Sequence, residues 1–309
     1  MFKKLNRNFT FIIVLLFSFV VLDQFTGLIL SHFYFSDAAK RNDQLVYGIF
    51  ESRDEIMTFG SSRAQHHYNP AVITKETGMT CFNMGYGGQN IYFHKALLQS
   101  ILIRYQPKLI ILELMNIDIE KTAPSHDREK LGVLLPFYKK SRWLREAVLF
   151  RGESEKYKTL SGIYPFNSTI YQIYRNNWWP MNNHINGYIP IRKVWNREIQ
   201  TTSEKAFMPD SSKIAALFDF IRLTQDRGCK ILIAISPHFV RKSGISGKEQ
   251  IVSAIRENYG LEALNLEQDS SFLANPSYFA DPFHLNDKGA ELYSAIIAQK
   301  VKEIITKGH

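Results

Sequence analysis

Cysteine is scarce in this chain of 309 residues, which contains only Cys81 and Cys229, each beside an apolar run. Two cysteines at this distance provide no disulfide framework and no zinc-ligand spacing. His66, His67 and His94 are not spaced with acidic partners as a metal site, so we expect them on the surface or lining a pocket. We place both thiols in the hydrophobic core and predict neither a metal nor another cofactor.

A concentrated block of positive charge is also missing. The formal net charge is +9 and the sequence pI is about 9.3, but the basic residues are spread along the chain. No RNA-binding signature accompanies them, so we exclude nucleic acid as a partner. A basic surface of this kind suits an anionic membrane or an acidic polymer.

The N-terminal apolar segment lacks the small-x-small cleavage site of a secretory signal. It follows the basic start "MFKKLNRN", and hydrophobicity resumes after Asp23 and Gln24. Phe9 to Leu30 is about the ~20 residues that span a bilayer. We predict a signal anchor over residues 1–35, with the rest of the chain periplasmic or extracellular. A cleaved signal is the alternative; Asp23 is either interfacial or the mark of a helix partner.

Residues 36–309 contain no long internal repeat and no low-complexity linker. Short apolar runs alternate with helical patterns instead, and some of these helices carry an Asn or Ser cap and a closing glycine. Continuous apolar strands between amphipathic helices predict a parallel sheet covered on both faces. The predicted strands are EIMTF (55–59), TCFNM (80–84), KLIILEL (108–114), KILIAIS (230–236) and, more weakly, LEALNL (261–266).

The alternation breaks over residues 121–205, which are rich in aromatics and asparagine. We predict that this segment is an insertion or cap over the parallel domain. Trp178, Trp179 and Tyr188 are expected to be exposed, where their rings would stack on sugars. The alternative is that these rings form a small aromatic core of the insertion itself.

The nucleophile motif G-x-S-x-G is absent, but the first strand ends on Gly60-Ser61-Ser62-Arg63. Ligands of open parallel sheets lie outside the carboxyl ends of the strands. A glycine there permits a sharp turn, after which a hydroxyl is presented at the start of a helix. The alternative is a serine that only caps the helix.

Three further segments strengthen the catalytic interpretation. "FNMGYGGQN" (82–90) provides a glycine loop whose backbone N–H groups can approach a ligand. Asn116 places an amide after the third strand, at the same edge. Asp281 and His284 are three residues apart before an Asn-capped helix, which lets the carboxylate orient the imidazole for a serine nucleophile.

At these blocks the chain resembles the SGNH, or GDSL-type, hydrolase superfamily over about residues 55–120 and 210–307. The matching positions are Ser62 (nucleophile), Gly88 and Asn116 (oxyanion donors), and Asp281 with His284. The resemblance implies a flavodoxin-like three-layer α/β/α sandwich with a central parallel sheet. The N-terminal anchor is similar to the cell-envelope branch, which includes D-alanyl transfer proteins of teichoic acids and alginate O-acetylation proteins.

The chain departs from the family pattern at two blocks. Ser61 stands where the family usually has aspartate, and Leu114 where it usually has glycine, which puts the oxyanion role of Asn116 in doubt. Arg63 is a candidate to pair with a carboxylate in the site, or a surface residue of the first helical turn. His238 follows the fourth strand and is expected to line the cleft.

Two functional classes follow from these residues. The first is a serine-dependent O-acyl esterase or acyltransferase that acts on a cell-envelope carbohydrate or glycopolymer. The second is an inactive envelope protein that keeps the fold to bind polysaccharide or to support a membrane acyltransferase. The complete Ser62, His284 and Asp281 set favours the enzyme, while the acyl donor and acceptor are not encoded in any motif.

Overall fold

A computed structural model describes residues 7–180, 184–198, 200–203, 207–243 and 248–307. The chain forms two compact units: unit 1 consists of Met1–Asp43 and Leu131–Met181, and unit 2 of Gln44–Lys130 and Asn182–His309. The predicted insertion, residues 121–205, overlaps unit 1 in its central part. Its two ends belong to unit 2.

The helices follow one another in chain order with short connections. They are α1 (Arg7–Tyr34), α2 (Asp37–Asn42), α3 (Gln44–Phe50), α4 (Ser62–His67), α5 (Pro70–Thr77), α6 (Ile91–Leu102), α7 (Pro124–Glu129), α8 (Arg142–Leu149), α9 (Glu155–Lys158), α10 (Ile170–Trp178), α11 (Ser211–Asp226), α12 (Lys248–Tyr259), α13 (Ser270–Leu273) and α14 (Asp287–Thr306). Short 3₁₀ helices cover Asn116–Asp118, Lys130–Phe137, Tyr164–Phe166 and Pro276–Tyr278.

Unit 2 is built on a five-stranded parallel sheet in the order β2-β1-β3-β5-β7. These strands are β1 (Ile56–Phe59), β2 (Cys81–Asn83), β3 (Leu109–Glu113), β5 (Lys230–Ile235) and β7 (Leu264–Asn265). A separate parallel pair joins β4 (Gln200–Ser203) to β6 (Val240–Ser243). The order of the five is that of flavodoxin-like sheets, whose crevice lies where the winding direction changes, at the carboxyl ends of β1 and β3.

Helices cover both faces of the sheet, because successive side chains of a strand point to opposite sides. Ile56 of β1 belongs to the buried cluster that includes Tyr293 and Ile297 of α14, and α14 packs on α5. Phe59 of β1 instead contacts the ring of Phe220 in α11, which packs on α6. The predicted α/β/α fold with a central parallel sheet is therefore confirmed.

Helix α5 shows how local sequence sets these element ends. The side chain of Asn69 accepts a hydrogen bond from the backbone N–H of Ala71, and Pro70 occupies the first turn, where no donor is needed. Gly78 ends the helix in the left-handed region at φ +73°. The capping residues printed in the sequence thus fix this helix to within a residue of its predicted bounds.

Unit 1 combines α1 with an aromatic core of its own. Tyr34, at the end of α1, is buried against the rings of Phe137 and Phe166. The most apolar window of α1 has a mean hydropathy of 2.3, and only 6% of that window is buried. The helix is therefore long and apolar enough to cross a membrane.

Candidate active site

Gly60 makes the turn that presents the candidate nucleophile. Its φ of +142° is one that side-chain-bearing residues rarely adopt, and a Cβ there would lie 2.9 Å from the Cβ atoms of Ala64 and Glu113. The chain therefore passes close against β3 before α4 begins at Ser62. Ser61 stands at the cap position but makes no side-chain cap hydrogen bond, so capping does not account for it.

His284 and Asp281 lie in the turn that precedes α14. The Nε2 atom of His284 is 2.9 Å from Ser62 Oγ, and its Nδ1 atom is 3.0 Å from Asp281 Oδ2 and 3.1 Å from Oδ1. Backbone N–H groups of Phe283 and His284 donate to Asp281 Oδ1 at 2.8 and 3.0 Å. The i, i+3 spacing thus forms a closed turn in which the carboxylate and the imidazole face each other.

The charge of Asp281 decides the direction of these hydrogen bonds. Burial alone would raise the pKa of Asp281, but the hydrogen bonds from Phe283 N–H and from His284 outweigh it and lower the pKa below its ordinary value. A carboxylate only accepts, so Nδ1 of a neutral His284 carries the proton. Nε2 is then an acceptor aimed at the Ser62 hydroxyl, as a general base must be.

A second, fully buried histidine supports the turn from behind. The backbone N–H of Leu285, next to His284, donates to Nε2 of His67 at 2.9 Å. Nδ1–H of His67 therefore donates to Ser236 Oγ at 2.8 Å, and Ser236 donates to Glu113 Oε1 at 2.6 Å. Burial lowers the pKa of His67 well below its usual value, so the ring stays neutral and its tautomer is fixed. His67 was expected on the surface or lining a pocket, and its complete burial makes the surface position wrong.

Glu113 is the buried carboxylate at which this network ends. It accepts hydrogen bonds from Tyr68 and from the backbone and side chain of Ser236. Burial raises the pKa of Glu113, and the charge of Arg63 partly offsets that effect. The sequence analysis missed Glu113, although a carboxylate inside the apolar run "KLIILEL" was a usable signal.

Arg63 is buried, so the surface position considered for it is wrong. Only 6% of the residue is exposed, and its Nη1 donates to the backbone oxygen of Ser236 at 3.4 Å. Nε has no hydrogen-bond partner among the described residues. The guanidinium thus supplies positive charge directly behind Ser62, and a direct role in substrate binding stays a prediction.

The predicted oxyanion donors occupy different surroundings. A Cβ built on Gly88 would have Lys130 Nζ at 3.9 Å as its nearest neighbour, whereas one on Gly87 would lie 3.8 Å from the Cβ of Ser62. The Asn116 amide donates to Glu120 Oε1 at 3.1 Å. Gly87 is therefore a loop residue in contact range of the nucleophile that the sequence analysis did not select, and the roles of Gly88 and Asn116 stay predictions.

His238 has a carboxylate partner that is distant in sequence. Its Nε2 lies 3.4 Å from Glu267 Oε1, which also pairs with Lys248 Nζ at 2.8 Å. The next residue, Phe239, donates its N–H to the oxygen of Pro282, which ties this segment to the turn of Asp281. His238 itself is 2% exposed, and its role towards substrate stays a prediction.

The three aromatic residues proposed for sugar stacking differ in exposure. Trp178 and Trp179 belong to unit 1 and are 56% and 66% exposed. Tyr188 belongs to unit 2 and is fully buried, with its hydroxyl donating to Asp287 at 2.7 Å. The expected exposure of Tyr188 is therefore wrong, because the ring has no free face for a sugar.

Metal coordination finds no support in the described part of the chain, where no three His, Cys, Asp or Glu side chains cluster closely enough to hold an ion. The buried thiols of Cys81 and Cys229 are both free. The chemistry of the site therefore has to be argued from the hydroxyl, imidazole and carboxylate groups at the sheet edge.

Comparisons with known proteins add the fold and little more. No protein-family model and no curated protein matches the chain. It is similar to a crystal structure from Bacteroides fragilis of a protein provisionally classed as an acylhydrolase, with 12% identity and a TM-score of 0.41 over 80% of this chain and 86% of that one. A likeness this distant carries no argument about activity, so the function has to follow from the site.

Proposed function

We propose that the protein is a serine-dependent O-acyl esterase or acyltransferase. The supporting observation is the unbroken hydrogen-bonded series from Ser62 Oγ through His284 to Asp281, with heavy-atom distances of 2.9 and 3.0 Å. This is the arrangement that converts a weakly nucleophilic hydroxyl into an attacking group. A serine that served only as a helix cap would need no such partners.

In the acylation step, Ser62 Oγ attacks the ester carbonyl carbon while its proton passes to Nε2 of His284. Asp281 holds the ring by Nδ1 and stabilises the imidazolium that forms. The tetrahedral oxyanion takes hydrogen bonds from the backbone N–H of Ser62 and from the loop that contains Gly88, with the Asn116 amide as a third donor. The intermediate then expels the alcohol, which takes the proton from His284 and leaves an acyl-Ser62 ester.

The acyl-enzyme is resolved by a second hydroxyl. Water or a sugar hydroxyl gives its proton to Nε2 of His284 and attacks the acyl carbon, and collapse returns the proton to Ser62 Oγ. Water yields the free acid and a sugar yields an O-acylated product. How well the site excludes water decides between hydrolysis and transfer.

The substrate we propose is an O-acyl group on a cell-envelope carbohydrate or glycopolymer. Support comes from α1, which has the length and composition of a membrane anchor and follows a basic N-terminus. An anchored domain outside the cytoplasm meets envelope polymers as its local substrates. If the reaction is transfer, a membrane acyltransferase that delivers the acyl group is the fitting partner. The resemblance to envelope D-alanyl transfer and alginate O-acetylation proteins points the same way.

The test is covalent labelling followed by product analysis. A fluorophosphonate probe should label the full-length protein at Ser62, and Ser62→Ala should abolish labelling. A short acyl ester supplied with an envelope oligosaccharide should then give acylated sugar or free acid, which separates transfer from hydrolysis.

The matched control is Ser61→Ala, one residue earlier, which should keep its label. A folded wild-type protein that takes no label and turns over no ester, yet binds the oligosaccharide, would favour the inactive binding protein instead. Rapid cleavage of long-chain lipid esters without any response to glycans would remove the carbohydrate substrate.

A further inference from the structure

Asp23 connects the apolar helix α1 to the rest of unit 1. Its carboxylate accepts hydrogen bonds from Ser161 Oγ at 2.6 Å and from the backbone N–H groups of Gly162 and Ile163 at 2.7 and 3.3 Å. One turn further on, a Cβ on Gly27 would lie 2.3 Å from the carbonyl carbon of Gly162. The backbone at residues 161–163 therefore lies directly against α1 from Asp23 to Gly27.

This contact limits how much of α1 is free to be surrounded by lipid on all sides. The 16 residues from Arg7 to Leu22 rise about 24 Å at about 1.5 Å per residue. The hydrocarbon core of a bilayer is about 30 Å thick. A helix that crosses it must therefore bring the level of Asp23, and the unit 1 segment bound there, into the outer boundary of the bilayer.

The opposite side of α1 is consistent with that depth. Phe25 and Leu28 lie beyond Asp23 and remain 61% and 70% exposed. These side chains face away from the protein at the level where residues 161–163 cover the other side of the helix. Lipid contact on one side and protein contact on the other is the arrangement of a helix that enters a protein domain inside the membrane interface.

Helix α10 presents a set of exposed aromatic residues, here called the aromatic face. Its members are Tyr171, Tyr174, Trp178 and Trp179, with exposed fractions of 74%, 54%, 56% and 66%. The rings of Tyr174 and Trp178 are stacked with centroids 6.1 Å apart. Indole and phenol rings with one apolar body and one polar tip are typical of the membrane–water interface.

The aromatic face is fixed at a defined height on α1. The Trp178 ring packs on Phe33 with a centroid distance of 4.9 Å, and the Asn177 amide donates to Phe33 O at 2.9 Å. Phe33 is about 39 Å along the axis from Arg7 at about 1.5 Å per residue. A bilayer with its headgroups is about 40–45 Å thick, so this face falls in the outer headgroup layer.

Positive charge accompanies this level of α1. A groove of unit 1 is bounded by Gly27, Leu28 and Ser31 on the helix and carries Lys139 and Lys140 on its rim. Both lysines are exposed. Ammonium groups beside an apolar groove at this height complement lipid phosphates.

We propose that unit 1 is a membrane-interface unit, whose aromatic face lies among the lipid headgroups and whose Lys139 and Lys140 contact lipid phosphate. The proposal rests on the anchoring proposed above for α1. It assigns Trp178 and Trp179 to lipid instead of sugar, and it holds the domain at the bilayer surface where the substrate polymer is built.

Tryptophan fluorescence of the full-length protein in vesicles of phosphatidylcholine and phosphatidylglycerol tests this directly. Brominated acyl chains quench only nearby indoles. We expect them to quench a substantial part of the wild-type emission, and this component should be largely lost in Trp178→Phe/Trp179→Phe, which keeps Trp143 and Trp195. Iodide in the water should quench the same component weakly.

Flotation of the same vesicles separates the two proposals. Protein that floats but shows strong iodide quenching and no bromine quenching of Trp178 and Trp179 overturns the interface proposal and leaves the anchor standing. Protein that does not float contradicts the anchor itself. A second readout uses Lys139→Gln/Lys140→Gln, which should weaken the dependence of bromine quenching on the phosphatidylglycerol content, and an unchanged dependence contradicts the phosphate contact.

Discussion

Unit 2 contains two histidine–aspartate pairs with the same side chains and opposite electrostatics. His284 and Asp281 lie in a partly exposed turn 3.0 Å apart, and the pKa of Asp281 is lowered because hydrogen bonds to its oxygens outweigh its burial. His94 and Asp118 are fully buried at 4.0 Å. There, burial lowers the pKa of His94 to about 3 and raises that of Asp118 to about 7.

The difference shows what makes a His–Asp pair usable as a base. Backbone donors keep Asp281 ionised, and the ionised carboxylate fixes the His284 tautomer towards Ser62. His94 has no hydrogen-bond partner for either ring nitrogen within the described residues, so burial leaves it neutral without orienting a proton. The donors around the carboxylate therefore distinguish the two pairs, since their residue types are identical.

The largest expected effect is loss of turnover at the open pair. Ser62→Ala and His284→Gln should each lower kcat for a short acyl ester by roughly 10³–10⁶-fold, without adding in the double variant, because both act in one proton transfer. Steady-state kinetics of the purified protein provide the measurement. His94→Gln is the matched control and should stay within about tenfold of wild type. A dead Ser61→Ala with an active Ser62→Ala would place the nucleophile one residue earlier.

Removing the charge of each aspartate sharpens the comparison. Asp281→Asn should lower kcat by roughly 10²–10⁴-fold, because an amide can hold His284 in the wrong tautomer. Asp118→Asn changes a side chain that is already largely neutral near pH 6, so its kcat there should change by less than about tenfold. Equal losses in the two variants would contradict the assignment of the base to His284.

The pH dependence of stability tests the buried pair. The folded-state pKa of Asp118 is about 7, above the unfolded value of about 3.9. Between these values the unfolded chain loses the proton while the folded chain keeps it, so the stability of wild type falls as pH rises. Asp118→Asn does not titrate, so its stability relative to wild type should increase from pH 4.5 to 7.5 by a few kcal/mol, at about 1.4 kcal/mol per pKa unit.

Denaturant unfolding at both pH values measures this difference. The variant keeps an oxygen that can accept the Met115 N–H bond made by Asp118, which limits its other effects. A stability difference that does not change with pH would mean that Asp118 is charged in the folded protein.

The smallest effect concerns the network behind the turn. Ser236→Ala removes the hydroxyl between His67 and Glu113, and should lower the free energy of unfolding by about 1–3 kcal/mol. Because the hydrogen bond from Leu285 to His67 survives, kcat should change by less than about tenfold. A loss of activity as large as that of Asp281→Asn would move Ser236 from a supporting role into the proton-transfer path.

Local patterns allowed most of the sheet to be predicted. Each of its five strands is an apolar run of the sequence, and Asn69, Pro70 and Gly78 mark helix α5. The Ser62, Asp281 and His284 motifs were also visible, since each is short and lies at an element end. The parallel pair β4–β6 was not predicted, because "QTTS" and "VRKS" show neither an apolar run nor clean alternation.

Interactions between distant residues could not be predicted in the same way. Glu267 follows His238 by 29 residues, and the network of His67, Ser236 and Glu113 joins three separate elements. Tyr188 looked exposed because its segment is rich in asparagine, while its burial depends on Asp287 near the C-terminus. Only the folded topology brings such partners together.

The hydrogen bonds of Asp23 have a practical consequence for biosynthesis and purification. Signal peptidase cleavage after residue 22, or a soluble fragment begun at residue 36, would remove most or all of α1. The shorter product would lose the carboxylate that binds residues 161–163 and the buried ring of Tyr34. Unit 1 should then be sensitive to proteolysis, so the leader-like segment is a structural part of the mature protein.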